Sequence, residues 1–309
     1  METIQDISLF KRNTYQTAIT IGTFDGVHLG HRKILERLIN SAKNTGLKST
    51  VLTFFPHPRM VLQKDTNIKL LNTIEEKTQI LNDLNLDYLI IHPFTKEFSR
   101  LSATEFVRDI LVNSLKGKKI IIGYDHRFGR NRNANIQDLI AFGNTLDFEV
   151  EEIPAQEIDD VSVSSTKIRN ALKEGDIATA NSYLSYAYML TGIIKKGKGL
   201  GKQFGFPTAN LHIPETYKLI PKTGVYVVKS TIDGQEHFGM MNIGYNPTVG
   251  GSEKSIEINF FDFNGNLYDK KIQVGILHRI RDEHKFNSIE ELQQQLAKDK
   301  EVSLDLISQ

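Results

Sequence analysis

The chain has no cysteine in 309 residues, which excludes disulfides and thiolate-ligated metal sites. It has no surplus of either charge: 38 Lys and Arg stand against 37 Asp and Glu, a formal net of +1. The composition therefore supplies no basic field of the kind that draws nucleic acid to a protein. Long apolar runs are missing too. No window approaches the roughly 20 residues that cross a bilayer, and residues 1–11 carry acids where a signal peptide would be apolar. These absences lead to the expectation of a cytoplasmic protein with small-molecule partners, without nucleic-acid or membrane binding. Its length is enough for two domains, each with its own core.

What is present is concentrated in a few strings. Residues 22–31 read Gly-Thr-Phe-Asp-Gly-Val-His-Leu-Gly-His. They follow an apolar run, Ala18-Ile19-Thr20-Ile21, and precede a segment whose Ile34, Leu35, Leu38, Ile39 and Ala42 share a helical face. Two imidazoles, His28 and His31, thus fall where a strand turns into a helix. A helix start offers unpaired N–H groups and a partial positive charge, which suit phosphate. The glycines let the backbone come close to such a ligand. A metal pair on a helix would favour i, i+4 spacing with a nearby carboxylate; here the spacing is i, i+3. The expectation is hydrogen bonding to phosphate oxygens that gain charge as a bond breaks.

From residue 18 to about 150, short apolar runs alternate with helical segments. Strands are expected at 18–21, 49–54, 88–91, 120–123 and 148–152. Gly46 reads as a helix C-cap, and Thr73 with Glu76 and Ser102 with Glu105 as capping boxes. Such alternation predicts a doubly wound parallel sheet with ligands at the carboxyl ends of its strands. Three further polar clusters follow later strands: His57-Pro58, residues 123–130 around Asp125, and residues 164–169. In the last, Ser164-Ser165-Thr166 reads as a helix cap, or as an anion site completed by Lys167 and Arg169.

After a short helical stretch at 176–184 the pattern changes. Residues 224–231 and 236–242 flank Asp233-Gly234, a two-residue hairpin signal. Residues 255–261 and 268–277 flank Asn264-Gly265, read as a second hairpin. Close-spaced strands without helices between them predict a small closed antiparallel barrel. A terminal helix should follow, started by Ser288 and Glu291, with Ile289, Leu292 and Leu296 on one face. The domain boundary is expected between 185 and 186.

In this second half, Gly197, Gly199 and Gly201 lie with Lys198 and Lys202 in a loop able to cradle phosphates. Pro207-Thr208-Ala209-Asn210 ends it, placing a hydroxyl and a carboxamide on one side of an extended segment. Both are oxygen donors of the kind Mg²⁺ takes beside phosphates. Glu257 shares a strand face with Ser255 and Asn259. That face looks either to solvent, where Glu257 is an ordinary carboxylate, or to a cleft, where it can take a proton from a hydroxyl.

Residues 22–31, 54–58, 123–129 and 164–169 resemble the FMN adenylyltransferase (FAD synthetase) module of bacterial bifunctional riboflavin kinase/FAD synthetases. Residues 192–211, 224–226, 242–248, 257–268 and 281–286 are similar to that family's riboflavin kinase motifs. The resemblance implies an α/β enzyme: an adenylyltransferase at 1–185 and a kinase barrel at 186–309. It implies ATP contacts by Gly22, Phe24, Asp25, His28, His31, Ser164, Thr166 and Arg169, with the two histidines catalytic, and FMN contacts by His57, Pro58 and Asp125. In the kinase it implies ATP at Gly197, Gly199, Gly201, Thr208 and Asn210, Mg²⁺ on Thr208 and Asn210, Glu257 as general base, and Arg281 beside the flavin. ATP is then co-substrate, and riboflavin, FMN and FAD are substrates or products. His126 stands where phenylalanine is usual in the family. Two rivals remain: a cytidylyltransferase, which shares the first string, and a barrel that binds flavin or nucleic acid without turnover.

Overall fold

The computed structural model describes residues 1–10, 14–62, 68–154, 163–197, 201, 205–248 and 251–308, and divides into two compact units, Met1–Ser164 and Ser165–Gln309. No helix among the described residues is long and apolar enough to cross a membrane.

The first unit is built on strands β1 (Glu2–Ile4), β2 (Thr17–Ile21), β3 (Lys48–Phe54), β4 (Tyr88–His92), β5 (Gly117–Gly123) and β6 (Glu149–Ile153). They form one sheet in the order β1-β4-β3-β2-β5-β6, and every pairing is parallel. Every residue of β2 is buried, as expected of a strand covered on both faces. The helices between are α1 (Ile7–Phe10), α2 (Leu29–Thr45), α3 (Pro58–Leu62), α4 (Ile74–Asn82), α5 (Ala103–Glu105), which continues as a π-helical run over Phe106–Ser114, and α6 (Ile136–Leu146). Gly46 ends α2 at φ 69°, and both expected capping boxes are formed. The five anticipated strands are present; β1, which pairs with β4 at the sheet edge, gave no periodic signal in three residues. Strand order reverses at β2. The chain steps from β2 to β3 and β4 on one side and to β5 and β6 on the other, so the ends of β2 and β5 flank the crevice where such sheets bind ligands.

The second unit begins with α7 (Ser165–Glu174) and α8 (Ile177–Leu184). Strands β7 (Tyr188–Lys195), β8 (Ala209–His212), β9 (Gly224–Ile232), β10 (Gln235–Thr248), β11 (Gly251–Phe260) and β12 (Lys271–Arg281) close a barrel in the order β10-β11-β8-β7-β12-β9. The first hairpin is as expected: Ile232 pairs with Gln235, and Asp233 and Gly234 adopt the positive φ angles of 51° and 83° that a two-residue turn requires.

The second is not. β11 pairs with β10 and β8, and β12 with β7 and β9, so the strands flanking Asn264-Gly265 are not neighbours. The segment crosses the barrel instead, with Asp269 donating to Ile194 O and Ile194 to Lys270 O. At the opposite end of β11, Thr248 of β10 opposes Gly251.

The terminal helix α9 (Ile289–Ser308) also departs from its apolar pattern. Ile289 is 54% exposed, while Asp299 and Ser303 are the buried residues. The reason is an arginine on the barrel: Arg281 extends its guanidinium to Asp299, with Nε to Oδ1 at 2.9 Å and an Nη to Oδ2 at 2.6 Å. Leu296, on the expected face, packs with Ile307 against Val225, Met240 and Phe261, so the ion pair and part of the apolar stripe together set the helix rotation.

Candidate functional sites

The turn after β2 is held by unusual backbone. Phe24 and Val27 adopt φ of 45° and 38°, a region side chains avoid and β-branched Val most of all. Several bonds hold the strained shape. Asp25 is buried and accepts from the backbone N–H of Leu71 at 2.9 Å and of Asn72 at 3.4 Å. Thr53 Oγ1 donates to Thr23 O at 3.3 Å, and Val27 N donates to Phe24 O. Gly22 is required by packing: a Cβ there would lie 3.0 Å from the Phe24 ring.

His28 caps α2 in extended geometry, its Nδ1 accepting from His31 N at 3.4 Å. The proton of the neutral ring is therefore on Nε2, which becomes a donor. The His28 and His31 rings stack with centroids 3.6 Å apart, and Phe24 meets His31 edge-on at 5.2 Å. Burial holds the His31 imidazole well below its ordinary value, with smaller contributions from His28 and Lys77. Its Nδ1 is shut from solvent and has no partner among the described residues. The amides of Leu29 and Gly30 belong to the helix start, which leaves them without intrahelical acceptors. An imidazole that can donate from Nε2 and a helix N-terminus thus meet beside the buried His31 ring, and an anion can accept from both.

Neighbouring strands bring two of the other expected clusters to the same sheet edge. His57, after β3, accepts from Arg59 N at 3.1 Å and so starts α3, with Pro58 as its first residue. Asp125, after β5, is exposed. Beside it, burial pushes the His126 imidazole down to about 4, against an upward push from Asp125. Between these loops runs an aromatic cluster that periodicity did not single out. Phe54 packs with Phe94 and Phe98 at 5.6 and 5.4 Å, and Phe98 and Phe106 continue it towards Phe128. Ser164 closes the first unit; Thr166 and Arg169 lie on α7, in the second.

In the barrel, register shows which residues share a face with Glu257. Asn210 of β8 opposes Lys195 on one side and Glu257 of β11 on the other, and Glu257 opposes Asn242 of β10. Directly opposed residues share a face, so these four form a row across four strands. Thr208, just before β8, donates from Oγ1 to Glu257 Oε2 at 3.3 Å. Glu257, Thr208, Asn210 and Asn242 are half-buried, so the face of Glu257 is partly covered. Asn259, next on that face, is buried and donates to Pro207 O at 2.8 Å.

Of the glycine-rich segment, Gly197 and Gly201 lie directly against this group. A Cβ on Gly197 would fall 2.2 Å from Asn210 Nδ2; on Gly201 it would fall 2.4 Å from Phe206 O and 3.2 Å from Thr208 Oγ1. Gly199 lies outside the described residues. Arg281 is engaged by Asp299, and its Nη1 also donates to Asp282 O at 3.0 Å, at the start of the 282–286 segment. Sequence reasoning missed Asn242 as a member of the row and the aromatic cluster of the first unit. Neither has a local signature, because each is assembled by strand pairing.

Comparison with known proteins matches residues 10–167 to a family model described as FAD synthetase and residues 184–307 to one described as riboflavin kinase. Proteins named bifunctional riboflavin kinase/FMN adenylyltransferase align along most of their length. That of Listeria monocytogenes is 37% identical, covering 92% of this chain and 90% of its own. That of Bacillus subtilis is 35% identical over 97% and 95%. A crystal structure of a protein named as a macrolide-efflux protein from Streptococcus pneumoniae aligns over 98% of each chain, at 30% identity and a TM-score of 0.87.

Proposed function

This chain belongs to the bifunctional riboflavin kinase/FMN adenylyltransferase family, and from that premise we propose how its residues divide the work. It phosphorylates riboflavin with ATP to give FMN, and adenylylates FMN with ATP to give FAD and pyrophosphate. We assign adenylylation to residues 1–185 and the kinase to 186–309. The matched stretches end at 167 and resume at 184, which supports that division.

In the adenylyltransferase, His28 and His31 receive the ATP phosphates, with Gly22 and Phe24 in the same turn. FMN attacks the α-phosphate through its own phosphate oxygen. The protein's task is to position the reactants and stabilise charge on the oxygens. His28, whose Nδ1 accepts from His31 N, has Nε2 left to donate to a phosphate oxygen. Asp25 acts through its backbone contacts, by fixing the turn. His57, Pro58 and Asp125 are assigned to the FMN side, where the neighbouring phenylalanines offer an apolar wall to a planar ring.

In the kinase, Glu257 takes the proton from the terminal ribityl hydroxyl as it attacks the γ-phosphate, oriented by Thr208. Gly197, Gly199 and Gly201 cover the phosphates. The donor set suits Mg²⁺: one hydroxyl, one carboxamide and one nearby carboxylate, each with an oxygen to offer. Thr208 and Asn210 would hold the ion, which supplies neutralisation of phosphate charge when bound. Arg281 acts by fixing the segment that follows it.

The observation that carries this reading is the pair of separate constellations, the stacked histidines at a strained helix start and the Thr208–Asn210–Glu257 group in the barrel. Incubation with riboflavin, ATP and Mg²⁺, followed by chromatography, should show FMN appearing first and FAD after it. Absence of both products would refute it.

A further inference from the structure

Lys77 has no part in the chemistry described so far. It lies on α4, starts from the helix capped by Thr73 and Glu76, and is only 5% exposed. Its Nζ donates to the carbonyl of Thr23 at 2.6 Å, across 54 residues of sequence. Burial pushes its ammonium down from the usual lysine value, and Asp25 pushes it back up. Burying an ammonium costs several kcal/mol before compensation, and an apolar side chain would fill the same space more cheaply. The Thr23 carbonyl already has a donor in Thr53. Stability alone is a poor account of this lysine.

The peptide plane it grips gives a better one. C=O and N–H of a trans peptide point in opposite directions, so a bond that draws the Thr23 carbonyl towards α4 turns the Phe24 N–H the other way. The Phe24 N–H has no acceptor among the described residues. It lies in the strained turn, at φ 45°, and the side chain of the same residue meets the His31 ring edge-on. A turn with two non-glycine residues at positive φ has other conformations of lower local energy, and a flip of this one peptide would present a carbonyl where an anion needs a donor.

We propose that Lys77 is a positioning residue of the adenylyltransferase: its ammonium holds the Thr23 carbonyl away from the nucleotide, and so holds the Phe24 N–H towards the ATP phosphates. The proposal rests on the assignment of the ATP phosphates to residues 22–31 and adds to it the residue that sets the turn. The Lys77 bond is charge-assisted and stronger than the one from Thr53, so losing it leaves the peptide held by the longer, neutral bond alone.

The full-length chain tests this. Thr-Phe pairs occur only at 23–24 and 53–54, so labelling threonine carbonyls with ¹³C and phenylalanine amides with ¹⁵N reduces the spectrum to two signals. Addition of ATP should move the Phe24 amide downfield in the wild type. In Lys77→Met that movement should vanish and kcat for FAD formation should fall at least tenfold, with the KM for FMN and riboflavin phosphorylation unchanged. Lys77→Arg, which keeps a charged donor, should restore part of the rate. A Lys77→Met chain that keeps both the shift and the rate overturns the proposal. So does a wild-type Phe24 amide that ignores bound ATP, whether or not any variant folds. A wild-type chain that makes no FAD overturns instead the functional reading beneath it.

Discussion

Glu257 of β11 stands directly opposite Asn210 of β8 in the barrel ladder, and Thr208 reaches the same carboxylate from the residue before that strand. A proposed base and two proposed oxygen ligands are thereby held by backbone pairing, which leaves little freedom to misplace them.

Glu257→Gln keeps the size and the contact with Thr208 but removes the acceptor for a proton. Riboflavin phosphorylation should fall by about 10²–10⁴-fold, the range of a general base, while conversion of supplied FMN to FAD continues. Separate assays with riboflavin and with FMN measure the two rates. Equal loss of both would contradict the division of labour.

His28 has two jobs that a substitution can separate, capping α2 and donating to phosphate. His28→Ala should lose the cap, worth about 1 kcal/mol, and slow adenylylation by about 10²–10³-fold, as for a lost oxyanion donor. His28→Asn should restore the melting temperature, because Asn caps well, without restoring the rate. A variant that recovered both together would show the effect to be structural.

Gly197 has no room for a side chain beside Asn210, nor Gly201 beside Phe206 and Thr208. Gly197→Ala or Gly201→Ala should displace these groups at a cost of about 1–3 kcal/mol. The kinase KM for ATP should rise roughly tenfold or more, with adenylylation untouched. Initial rates over a range of ATP concentrations decide it, and an unchanged KM would remove the loop from the nucleotide site.

His126 gives a pH dependence of definite sign. Burial holds its imidazole at about 4, below the ordinary 6.5. Between these values the unfolded chain binds a proton that the native protein does not, so stability falls as pH drops through that window. His126→Phe removes a contribution of at most ~3 kcal/mol by pH 4. The loss of melting temperature between pH 7 and about pH 4 should be smaller in the variant. An equal loss would mean that the imidazole protonates freely in the native state.

Much of this was legible before any coordinates. The strings at 22–31 and 197–210, the strand–helix alternation, the capping boxes and the Asp233-Gly234 turn are local, and local chemistry writes itself into sequence. The Asn264-Gly265 turn shows the limit. Its residues favour a reversal, but a reversal pairs two strands only if their edges are free, and here barrel closure had already used them. In the same way the expected apolar face of the last helix holds at Leu296 and fails at Ile289, and the ion pair between Asp299 and Arg281 was invisible to the pattern.

The amino-acid order by itself determined which groups are available and which turns and helix starts they favour, because those preferences act over a few residues. Only the tertiary structure decided which residues of other strands share a face with Glu257, which strand ends meet at the crevice, and that Lys77 grips Thr23. Each depends on the pairing of segments far apart in the chain, where the energy lies in contacts that no short window contains.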